Sequence, residues 1–157
     1  MRRIIWISGI VVVVILVAMQ TRRPNYNLSP VDMAATFDAR VHPDAHIGDM
    51  LHRSCYSCHS EQGEIPWYGH VWPTSQLLQN DVRHARARLD FSNWSNLSPE
   101  MSRIRLLDAC RAMRESKMPL WYYRPMHPGS APEQAEVDAF CAWTETQRTG
   151  QNVALLR

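Results

Sequence analysis

Residues 55–59 read Cys55-Tyr56-Ser57-Cys58-His59, and the reading of this stretch governs the rest of the chain. Two thiols three positions apart, followed at once by an imidazole, form the attachment pattern of c-type haem. On one helical turn each thiol adds to one vinyl group of the same macrocycle. The adjacent imidazole then lies beneath the iron as its proximal ligand. Three competing readings are weaker. A thioredoxin-like dithiol needs a βαβ setting, and the flanking residues show only helical spacing. A zinc site needs a further pair of Cys or His at ligand spacing, whereas Cys110 and Cys141 stand isolated. Two surface thiols without a role are out of place in a secreted domain. The motif occurs once, so the expected cofactor is one covalent haem c held by Cys55, Cys58 and His59.

The N-terminus sets the compartment. Residues 4–19 carry no charge and are flanked by Arg2 and Arg3 before them and Arg22 and Arg23 after them. A helix over this run, extended by Gln20 and Thr21, is about 27 Å long. That is close to a bilayer core of about 30 Å, and arginines at its ends absorb the difference by snorkelling. A cleavage site wants small residues at set spacing, and Leu16 stands where one is needed beside Ala18. The expectation is an uncleaved anchor over residues 1–21, with a cleaved signal peptide as the alternative. The flanking arginines nearly tie under the positive-inside rule. Haem attachment outside the inner membrane breaks the tie: the anchor is single-pass in a bacterial inner membrane and the domain faces the periplasm.

Beyond the anchor, residues 22–43 hold three prolines and no sustained period, and are expected to be a linker. Residues 44–149 are expected to form the haem domain and residues 150–157 a tail. Helical spacing predicts a short helix over residues 46–53. A second opens on Pro73 as a first-turn proline, with Leu77, Leu78, Val82, Ala85 and Leu89 on its faces. Ser98-Pro99-Glu100 starts a third, which Pro119 ends. Ser130-Ala131-Pro132-Glu133 reads as a capping box for a last helix to about residue 147. No strand pattern follows the anchor. The fold class is therefore all-α, a small cytochrome c-like domain around one haem, plus the N-terminal helix.

Composition narrows the partners. The chain has 157 residues and a net charge of +2. Setting the four flanking arginines aside leaves 13 basic and 15 acidic side chains. That excludes a strongly basic nucleic-acid binder. Redox proteins or a respiratory complex at the membrane are the expected partners.

An electron carrier needs a sixth iron ligand. Met118 precedes Pro119 after a helix, 59 residues beyond His59, and is the preferred donor. His127, His70, His84 and an open position are the alternatives. Trp67, Tyr68, Trp94 and Trp121 are candidate pocket walls, with Tyr122 and Tyr123 beside them. Arg86, Asn93 and Arg124 are candidate partners for the propionates, and the Pro66 carbonyl is a candidate acceptor for the second nitrogen of His59. Cys110 and Cys141 face inward on successive helices. They form either a disulfide, which is favoured, or two buried thiols.

The stretch from about residue 51 to 143 resembles the haem-binding domain family of small bacterial monohaem proteins. The resemblance rests on residues 55–60, on Pro66-Trp67-Tyr68 and on Leu89-Asp90-Phe91-Ser92-Asn93-Trp94. It continues through Met118-Pro119, Tyr123, His127-Pro128 and Trp143, in order and at similar distances. It departs from the family at Ala85-Arg86-Ala87-Arg88 and Asp90. It implies covalent haem at Cys55 and Cys58, His59 as axial ligand, and Met118 in the segment that supplies the other. The expected function is one-electron transfer by a membrane-tethered periplasmic cytochrome that is not itself an enzyme. A haem-based sensor, a peroxidase-like protein with an open sixth position, or an accessory subunit of a respiratory complex are the alternatives.

Overall fold

The computed structural model describes residues 2–154. It is helical, with no strand among the described residues. The elements are α1 (Arg2–Gln20), α2 (Phe37–Val41), α3 (Ala45–Ser54), α4 (Tyr56–His59), α5 (Thr74–Arg88), α6 (Pro99–Arg114) and α7 (Gln134–Ala154). Single 3-10 turns punctuate the loops between them. None of α1 is buried, and it is long and apolar enough to cross a membrane.

Local chemistry explains most boundaries. Asp44 caps α3 by accepting from the Ile47 N–H at 3.0 Å. Ser98 caps α6 by accepting from the Met101 N–H at 3.2 Å, with Pro99 in the first turn and Glu100 at the positive end. Pro73 sits one position outside α5, at its cap, rather than in the first turn. The expected capping box at residues 130–133 does not form. Ser130 Oγ is buried without a hydrogen-bond partner, α7 begins at Gln134, and the Glu136 carboxylate takes the Glu133 N–H at 2.8 Å. α6 ends at Arg114, short of Pro119, because Ser116 turns the chain with a left-handed φ of 54°. The Lys117 and Met118 N–H groups both fold back onto the Ala112 carbonyl. α7 runs past residue 147 to Ala154, so the expected tail at 150–157 starts as helix; residues 155–157 lie outside the described residues.

The core lies between α3, α6, α7 and the segment after α5. Phe37, Phe91, Phe140, Met50 and Leu51 are sealed in it. Tyr56 stacks on Phe91 at 4.7 Å, and Phe37 meets Phe91 and Trp94 edge-on at 5.1 and 4.8 Å. Cys110 of α6 and Cys141 of α7 form a disulfide, with Cα atoms 5.2 Å apart.

Residues 22–43 are not a free linker. Tyr26, Thr36 and Phe37 are buried, and Phe37 is 0% exposed. The Phe37 N–H donates to the Phe91 carbonyl at 2.8 Å. Arg86 donates to the Tyr26 carbonyl at 2.6 Å and the Asn27 carbonyl at 3.3 Å. The domain therefore includes this segment, and its working boundary lies before Tyr26 rather than at residue 44.

Arg53 of α3 donates to both Glu136 oxygens of α7 at 2.7 and 2.8 Å and to the Gly129 carbonyl at 2.8 Å. That hydrogen bond, and the Glu133 N–H beside it, hold the Glu136 carboxyl below its usual range. A depressed carboxylate stabilises the fold at neutral pH and stops doing so as it protonates. Glu136→Gln is expected to cost about 0.5–1 kcal/mol at pH 7, and the difference to close as the pH falls from the ordinary glutamate value of about 4.3 through the lower folded value. Urea unfolding of both proteins at pH 7 and at descending acid pH checks it.

Candidate functional site

The Cys55-Tyr56-Ser57-Cys58-His59 stretch is a single turn, α4, packed on α5. Tyr56 points into the core and also donates to Asp38 at 3.0 Å, so the turn is pinned by its one large side chain. The loop that follows folds tightly back on it. A Cβ at Gly63 would lie 2.7 Å from the Tyr56 and Ser57 backbone, so only glycine fits there. The pinned turn presents Cys55, Cys58 and His59 to one side.

That side is a cavity of about 490 Å³ with a largely apolar lining. The volume lies in the range of pockets that enclose a sizeable ligand, about 300–1,000 Å³. Besides the motif, its walls include Leu77, Leu78, Met118, Leu120, Tyr122 and Met126. Cys55 and Cys58 are not joined to each other. Burial pushes the Cys55 thiol up to about 12, the neighbouring Cys58 adding to the shift, and burial also raises Cys58. Both thiols stay protonated at neutral pH, which argues against an exchange-active dithiol.

His59 is oriented by a partner 30 residues away. Its Nδ1 lies 2.9 Å from the Leu89 carbonyl oxygen, which can only accept, so Nδ1 carries the proton. Nε2 is left with its lone pair free, the form that binds a metal. The expected acceptor, Pro66, does not take this bond; its carbonyl receives the Gly69 N–H. Burial lowers the His59 pKa, which keeps the ring neutral.

Met118 lines the same cavity as His59. It enters from the segment between α6 and α7, and Arg124 straps that segment from below. The guanidinium donates to the Pro119 carbonyl at 2.9 Å and the Ser116 carbonyl at 3.1 Å. Three hydroxyl bonds tie the segment to the opposite wall: Tyr122 to Asp81 at 2.8 Å, Tyr123 with Ser57 at 2.9 Å, and Tyr68 with His127 at 2.6 Å. The histidine alternatives separate clearly. His127 is engaged by Tyr68 and stacked on Tyr123 at 3.8 Å, and His70 is exposed; neither lines the cavity. His84 does line it, but on α5, the helix that backs His59, whereas Met118 comes from a separate element.

Of the four aromatic wall candidates only Tyr68 lines the cavity. Trp67 and Trp121 are 73% and 77% exposed, and Trp94 is a core residue against Phe37 and Phe91. The cationic candidates are also reassigned. Arg86 directs both terminal nitrogens to the carbonyls of Tyr26, Asn27 and Ser60, Arg124 bonds within the Met118 segment, and Asn93 bonds to Asp90. The polar side chains of α5 that do line the cavity include Asp81, His84 and Arg88, a spacing that puts His84 and Arg88 one turn apart. Sequence spacing marked Leu77 and Leu78 as apolar helix positions without separating cavity wall from core. Leu120 and Met126 gave no signal beyond their apolar character.

No group of three or more His, Cys, Asp or Glu side chains is placed to hold a metal ion among the described residues. Two thiols, one oriented imidazole and a thioether on an apolar wall match a haem instead. The model of the haem-binding domain family matches residues 12–146. The chain belongs to the haem-binding domain family. The match begins within α1 and spans the segment 22–43, in keeping with the burial of Tyr26 and Phe37. No curated protein and no solved structure matches this haem-binding domain protein.

Proposed function

We propose that this haem-binding protein is a membrane-tethered periplasmic monohaem c-type cytochrome that carries single electrons. The observation that carries the reading is the convergence of Cys55, Cys58, His59 and Met118 on one apolar cavity. Haem c supplies a one-electron ferric/ferrous couple when bound. Cys55 and Cys58 would hold it through thioethers, His59 Nε2 would ligate one face of the iron, and Met118 the other. Leu77, Leu78, Leu120 and the three tyrosines would exclude water and raise the potential. Arg88 lines the cavity, makes no hydrogen bond or ion pair among the described residues, and would meet the propionates. The Cys110–Cys141 disulfide supports an oxidising compartment, hence the periplasm. With α1 as a bilayer anchor, the reaction is electron delivery between redox proteins at the membrane rather than catalysis on a small substrate.

Met118→Ala separates this reading from a sensor or a peroxidase-like protein. The native protein is expected to be low-spin, with a sulfur-to-iron charge-transfer band when oxidised. The variant is expected to lose that band, to fall in reduction potential and to bind carbon monoxide when reduced. A native protein that already binds carbon monoxide as readily as the variant contradicts electron carriage as its role.

A further inference from the structure

We infer that the loop over residues 65–73 seats on the lipid headgroup layer, so that the domain is fixed against the bilayer rather than swinging from a tether. Gln20, the last residue of α1, clasps this loop with both ends of its amide. Its Nε2 donates to the Trp72 carbonyl at 3.2 Å, and its Oε1 accepts from the Trp72 N–H at 3.0 Å. Trp72 is thereby held at the level where α1 leaves the hydrocarbon.

The loop has the chemistry of that level. Trp67 is 73% exposed and Val71 41% exposed, while Trp72 is half-buried. Indoles concentrate at membrane–water interfaces, where one end meets acyl chains and the other meets water. Single exposed apolar side chains are ordinary on soluble surfaces; the Gln20 clasp is what assigns these to lipid. Arg22 and Arg23, exposed and two and three residues beyond the end of α1, are available to meet phosphates at the same level. The loop is stiff enough to act as a foot. Tyr26 donates to the Gly69 carbonyl at 2.6 Å, and Thr74 Oγ1 reaches the Tyr68 and Val71 carbonyls, both at 2.7 Å. Tyr68, within this loop, lines the cavity, so the foot places the cavity beside the membrane surface.

The inference rests on α1 crossing the bilayer. The test uses the full haem-loaded chain in nanodiscs of phosphatidylcholine and phosphatidylglycerol that contain a phospholipid with a headgroup-proximal diazirine. After illumination, lipid adducts are mapped by mass spectrometry. Adducts are expected on α1 and on residues 65–73, those on the loop falling severalfold in Gln20→Ala and in Trp67→Ser/Val71→Ser. An unchanged Soret band shows that each variant is folded. Adducts on α1 with none on the loop above the level of the exposed turn at residues 115–117 overturn the inference and leave the anchor standing. Adducts on neither overturn both.

Discussion

A Cys55→Ala/Cys58→Ala variant, produced with the haem-maturation machinery of the periplasm, loses all haem on denaturing electrophoresis, whereas the native chain keeps it. The effect is all-or-none because two thioethers are the only covalent links these side chains can offer a macrocycle. Neither cysteine is spent on another covalent bond. They are not joined to each other, and the structural disulfide belongs to Cys110 and Cys141. Each single variant retains one thioether and is expected to keep haem on the gel, with its reduced absorption band shifted by the one vinyl left unreacted. The in-gel haem stain and the pyridine spectrum read both results. Haem that survives denaturation of the double variant refutes covalent attachment at this motif.

Phe37→Ala costs about 3–5 kcal/mol of stability, the range for a fully buried aromatic truncated to alanine. Phe37 is 0% exposed and closes the aromatic cluster of Phe91 and Trp94, whose rings would line the resulting cavity. Phe37→Leu is expected to cost less, because most of the apolar volume remains. Urea unfolding in detergent, followed at the Soret band and by circular dichroism, gives both values. A loss below about 1 kcal/mol for Phe37→Ala would mean that residues 22–43 do not dock in solution.

The same residue shows why part of the fold was hidden in the sequence. Helices with a start signal or a period were legible: Ser98-Pro99-Glu100 for α6 and the apolar spacing of α5 announce themselves locally, whereas the Asp44 cap of α3 emerged only in the structure. Residues 22–43 hold only one short helix, α2, and a 3-10 turn, and dock through single side chains, Tyr26, Thr36 and Phe37, which form no pattern. A similar limit applies at the site. The motif and the placement of Met118 after a helix are local signals, and the structure brings Cys55, Cys58, His59 and Met118 to one cavity. The acceptor for His59 is a backbone carbonyl, and every residue has one, so nothing in the sequence distinguished Leu89 from Pro66. Arg86 and Arg124 bond to carbonyls too, which is why they read as free cations. Trp67, Trp94 and Trp121 carry the same side chain outward, inward and outward, a direction that residue type does not encode.

In the proposed function His59 and Met118 would both ligate one haem iron. The most direct measurement is the absorption spectrum of the full chain, matured in the periplasm and purified in detergent. It is recorded oxidised, reduced, and reduced under carbon monoxide. A low-spin haem, a sulfur-to-iron band in the oxidised protein and no change on adding carbon monoxide are expected. A high-spin iron that takes up carbon monoxide at once would contradict that ligation.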